Sequence, residues 1–97
     1  LGGYMSGITL NDLRVSLDAV DSAIINLLAE RFRLSEHVGE FKKEHGLVAV
    51  DPAREASQFE RIGKLALDAG LDPVIAKKFL RFIIDEVVAR HNVIAGR

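Results

Sequence analysis

A chain of 97 residues, 48% hydrophobic and 28% charged, has enough apolar material for one soluble domain with a small core. Its formal net charge of -1 offers no basic face for nucleic acid, and no apolar run approaches the roughly 18 residues that a membrane span needs. There is no cysteine, and His37, His45 and His91 lack the spacing of two ligands on one helical turn, so the expectation is a cytoplasmic protein without disulfide or metal, acting on a small molecule or a protein partner.

Residues 1–8 carry three glycines and no periodicity, which predicts a flexible tail ahead of a single helical domain over 9–97. Thr9 and Asp12 resemble a capping box, with aspartate in place of the usual glutamate, and open the first helix. Steps of three and four then pick out Leu10, Leu13, Leu17, Val20, Ile24, Leu27, Arg31, Leu34, Val38, Phe41 and His45, a heptad-like seam that stops at Gly46. Such a helix is about 54 Å long, whereas a compact monomer of this size has a radius of gyration of about 12 to 13 Å. One subunit cannot cover it, and the same helix of a twofold-related chain is the most economical cover. Gly39, inside this helix, marks either a close backbone approach or a tolerated surface glycine.

Leu47 to Val50 read as a linker that packs on the core. Asp51 as N-cap and Pro52 at the first helical position start a second helix, whose inward stripe is Ala53, Ala56, Phe59, Ile62 and Ala66 and which Gly70 ends. Asp72 and Pro73 repeat the start signal for a third helix. It buries Ile75, Phe79, Ile83 and Val87 along one side, with Leu80, Ile84, Val88 and His91 alongside. No strand is expected, so the fold class is all-α: a three-helix subunit with one very long N-terminal helix, paired into an intertwined dimer.

Arg31 interrupts the apolar seam. A permanently charged guanidinium among leucines is unfavourable unless an anion meets it there, so the interruption reads as a site. Lys42 lies eleven residues on, three turns plus about 20 degrees, on the same helical face, and two such side chains can close around a dianion; otherwise Lys42 reaches out to solvent. Arg14 is too far along and around the helix to share a small ligand with Arg31 of its own chain. It is either a surface charge or a contribution to the site of an antiparallel partner. Asp51, Arg54 and Glu55 cluster where a second helix begins; the acids there either suit the helix dipole or accept from a substrate hydroxyl. His91, an imidazole on an apolar face, is a core residue or a ligand. No nucleophile with an adjacent base and no glycine-rich phosphate loop stands out, so this set suits binding, or a reaction that needs a folded substrate and a stabilised developing charge.

From Leu10 to about His91 the sequence resembles the all-helical chorismate mutase family. The resemblance rests on Leu13-Arg14 with Leu17 and Asp21, on Leu27-Leu28-Ala29-Glu30-Arg31, on Val38-Gly39 followed by Lys42, and on Asp51-Pro52-Ala53-Arg54-Glu55. It implies an intertwined homodimer with two sites that rearrange chorismate to prephenate, toward phenylalanine and tyrosine, without a cofactor. It further implies that Arg14 is donated across the interface, that Arg31 grips the substrate carboxylates, and that Lys42 reaches a carboxylate and the ether oxygen of the breaking bond. Asp51 and Glu55 match positions that hold the ring hydroxyl, and Arg54 a further cation of the pocket. Two positions depart from the family pattern: Val87 falls where a serine often binds a carboxylate, and His91 where glutamine or glutamate donates to the ether oxygen. Relatives on this scaffold that cleave isochorismate or rearrange aminodeoxychorismate are therefore alternatives, as is a non-catalytic dimerisation or regulatory module.

Overall fold

A computed structural model of the chain describes residues 7–48 and 50–94. They form three helices, α1 (Leu10–Glu44), α2 (Pro52–Ala69) and α3 (Pro73–Ile94), and no strand occurs among the described residues. Of the expected tail, residues 1–6 lie outside the described residues. The chain divides into two compact units, one ending at Arg33 and the other beginning at Leu34.

The first unit holds the start of α1. The Thr9 backbone N–H donates to Asp12 Oδ2 at 3.0 Å and the Asp12 N–H donates to Thr9 Oγ1 at 3.1 Å, so the aspartate closes the capping box as a glutamate would. The Thr9 backbone N–H first, and then the Thr9 side chain, hold the Asp12 carboxyl below its ordinary value. Beyond the cap, Leu10, Leu13, Leu17, Val20, Ile24 and Leu27 are all exposed within this chain, and Leu28, Arg31 and Phe32 are half-buried.

In the second unit the end of α1 is closed by Gly46, at φ 67°. The Leu47 N–H donates to the Lys42 carbonyl at 2.8 Å and the Gly46 N–H to the Lys43 carbonyl at 3.3 Å, the pairing of a Schellman cap. The same device ends α2 at Gly70, φ 75°, with Leu71 N–H donating to Ala66 O and Gly70 N–H to Leu67 O. Three residues later α3 begins, so α2 and α3 form a helical hairpin. Its core is Ala66, Ala76, Leu80, Ile83 and Ile84, and the polar His91 is buried as well. Gly63 is also buried; a Cβ there would come within 3.1 Å of Lys77 Cε, so the bare backbone gives the Lys77 stem its room. Gly39 of α1 is buried too, which favours close backbone approach over a surface position.

Three expectations about packing need correction. Ile75 and Phe79 are exposed; the buried line on α3 runs through Ala76, Leu80, Ile83, Ile84 and His91, with Val87 and Val88 half-buried. A row of strict fours drifts 40° per step, so Ile75 and Val87 stand about 120° apart and one straight neighbour cannot cover both. On α2, Ala53 and Ala56 are exposed, whereas Phe59 and Ile62 are half-buried and Gly63 and Ala66 buried. Ala53 and Ile62, nine residues apart, point in about opposite directions. The linker residues Leu47, Val48 and Val50 are exposed rather than packed on the core; Ala49 lies outside the described residues.

Candidate functional site

Of the residues singled out from the sequence, Arg14 and Arg31 belong to the first unit, and Lys42, Asp51, Arg54, Glu55, Val87 and His91 to the second. Arg14 is exposed. Arg31 and Lys42 are half-buried on a helix whose apolar seam is exposed.

At the start of α2, Asp51 Oδ1 accepts from the Arg54 backbone N–H at 3.1 Å, so one carboxylate oxygen serves as N-cap. Its exposure leaves the second oxygen accessible. The Arg54 side chain is exposed as well. Glu55, one turn into the helix, is different: its side chain is 23% exposed and forms an ion pair with Arg81 of α3, Nη1 to Oε1 3.5 Å. The same Nη1 donates to Asp85 Oδ1 at 3.4 Å, and the guanidinium carbon lies 4.6 Å over the Phe59 ring. Arg81 was not singled out from the sequence. An Arg-Asp pair four apart on a helix reads there as ordinary surface charge; its reach to Glu55 arises only when α2 and α3 pair.

His91 is 5% exposed, and its Nε2 lies 2.7 Å from the backbone carbonyl oxygen of Ser35 on α1. A carbonyl only accepts, so Nε2 carries the proton and donates. Nδ1 is buried with no hydrogen-bond partner among the described residues. A buried polar atom without a partner is unfavourable unless something else supplies one, which gives Nδ1 the chemistry of a ligand contact. Next to this pair, Arg90 and Glu36 join α3 to the end of α1 by an ion pair. Ser35 and Glu36 carried no signal in the sequence, since Ser35 acts through its backbone. Val87 is half-buried and brings no polar atom. The other two histidines are accounted for locally: His45 Nδ1 lies 2.9 Å from the Phe41 carbonyl oxygen with the two rings stacked at 4.0 Å, and His37 lies 3.9 Å from Glu40.

These groups are charged or polar donors and acceptors, with no nucleophile paired to a base among them. They can bind and orient an anionic, hydroxyl-bearing molecule and stabilise charge as it develops.

The chorismate mutase type II family matches residues 13–92, a span that includes every candidate position. Similar curated proteins include the T-protein of Enterobacter agglomerans, 37% identical over 86% of this chain and 22% of that protein. The chorismate mutase of Methanocaldococcus jannaschii is 34% identical over 78% of this chain and 77% of that protein. The 4-amino-4-deoxychorismate mutase of Streptomyces pristinaespiralis is 32% identical over 81% and 58%. The chain thus spans less than a quarter of the T-protein but most of the length of the archaeal enzyme. With four fifths of its length inside the family match, and the archaeal likeness running through most of both proteins, the chain belongs to the chorismate mutase type II family.

Proposed function

We propose that the chain rearranges chorismate to prephenate, in the cytoplasm and without a cofactor, as a homodimer whose sites each take Arg14 from the other copy. The observation that carries this reading is the family match over residues 13–92, a span that contains Arg14, Arg31, Lys42, Asp51, Arg54 and Glu55. The positive charges of Arg31, Lys42 and Arg54 support it, because they suit a substrate that carries two carboxylates.

In this reading Arg31 grips the substrate carboxylates, and Lys42 reaches a carboxylate and the ether oxygen. Asp51, through the oxygen that the cap leaves over, and Glu55 accept from the ring hydroxyl, while Arg54 adds positive charge. Val87 gives an apolar wall where family members often use a serine, a loss of about 1 kcal/mol for one neutral hydrogen bond. His91 faces the ether oxygen with Nδ1. Since Nε2 is committed to Ser35, Nδ1 donates only when the ring is doubly protonated. The reaction is intramolecular, so the residues accelerate it by enforcing the folded conformer and by donating to the oxygen that gains charge in the transition state.

Homodimerisation is supported by α1 itself. Its 35 residues run about 52 Å at 1.5 Å per residue, and its apolar seam from Leu10 to Phe41 is exposed in a single chain. A second copy offers a helix of equal length and the same apolar pattern.

Loss of chorismate absorbance on addition of purified protein, with prephenate as product, tests the proposal. No conversion by a folded dimer overturns it. A second reading, action on 4-amino-4-deoxychorismate, is favoured by the similarity to the Streptomyces enzymes of that activity and is separated by supplying the amino compound in parallel.

A further inference from the structure

Arg81 matches none of the positions that the family resemblance carries over, yet it is built into the surroundings of one that does. Its Nη1 stands between Glu55 Oε1 at 3.5 Å and Asp85 Oδ1 at 3.4 Å, and its guanidinium lies 4.6 Å over Phe59, one turn beyond Glu55 on α2. The bond to Asp85 is a helix-surface pair of little energetic weight, since Arg81 and Asp85 are 51% and 64% exposed. That pair alone does not explain why the side chain crosses to α2. The Phe59 face supplies a platform for the planar cation, and Glu55, with less than a quarter of its side chain exposed, supplies a carboxylate that has lost much of its water. A glutamate has three rotatable bonds, and a cation fixed by stacking limits where its oxygens can go.

We propose that Arg81 is a positioning residue that sets the specificity of Glu55. It holds one carboxylate oxygen and offsets the charge, leaving the other oxygen to accept from a neutral ring hydroxyl instead of attracting a ring ammonium. The inference rests on the mutase reading, in which Glu55 meets the ring substituent. Chorismate carries a hydroxyl at that ring position and 4-amino-4-deoxychorismate an amine that is protonated near neutral pH. A carboxylate accepts from both, but only the ammonium gains from a neighbouring charge that is not offset.

The test compares wild type, Arg81→Gln and Arg81→Lys in the full chain, with kcat/KM measured for chorismate and for the 4-amino compound; a compound that binds without turnover is read by its inhibition of chorismate conversion. Arg81→Gln is expected to shift the ratio about three- to tenfold toward the amino compound, chiefly through KM, and Arg81→Lys to restore most of the wild-type ratio. An unchanged ratio, or an equal loss on both compounds, overturns the inference while wild-type conversion of chorismate leaves the mutase reading standing. If Arg81→Gln does not fold, Arg81→Met, which keeps an unbranched apolar side chain without the charge, is read in the same way; failure of both to fold makes Arg81 structural and also overturns the inference. A wild type inactive on both compounds removes the mutase reading and this inference with it.

Discussion

His91 shows how one backbone contact limits what a side chain can do. Donation from Nε2 to the Ser35 carbonyl settles which ring nitrogen is occupied, and the orphaned Nδ1 is then the atom left for a ligand. His91→Gln is expected to keep substantial chorismate turnover, because an amide N–H can donate to the same oxygen. His91→Ala should lose on the order of 10²-fold in kcat, the usual effect of removing one donor to a developing oxyanion. Steady-state kinetics across pH on the two variants check this, and an alanine variant with wild-type kinetics would leave the histidine a core residue only. That His91 was anomalous could be read from the sequence, as an imidazole on an apolar stripe. Its partner could not, because a main-chain carbonyl on α1 has no residue-type signal. Arg81 was hidden for a related reason: its pairing with Glu55 depends on how α2 and α3 meet.

At the scale of elements, helix ends were more legible than helix faces. Thr9 with Asp12, Asp51 with Pro52, Gly70, and Asp72 with Pro73 act through hydrogen bonds to neighbours a few residues away, so sequence suffices to place them. The buried faces of α2 and α3 depend on helical drift and on where a neighbour lies, which is why rows read in strict threes and fours assigned Ala53 and Ile75 to the wrong side. The first cap also has a pH signature. The Asp12 carboxyl lies below its ordinary value in the folded chain, so its contribution is fully present above the unfolded carboxylate range and is lost as pH falls through the folded value. Carbon chemical shifts of residues 10–13, followed from about pH 6 to about pH 3, should move toward coil values as Asp12 protonates. An Asp12→Asn variant should lack the carboxylate-dependent part of that change. Shifts that stay helical throughout would show that the box does not hold the start of α1.

At the scale of the whole molecule, the long apolar seam of α1 was legible as a helix too long for its own chain to cover, and in the structure that seam is exposed. In the proposed mechanism the reaction takes place in sites shared by two copies, with Arg31 from one and Arg14 from the other. Arg31→Ala and Arg14→Ala, each prepared alone, should be folded dimers with little or no chorismate turnover, since each removes a charged carboxylate partner. After subunit exchange at equal concentrations, half of the dimers are mixed and one of the two sites in each carries both native arginines. Chorismate conversion by the mixture is therefore expected to recover to roughly a quarter of the wild-type rate per chain. No recovery despite demonstrated exchange would contradict the account.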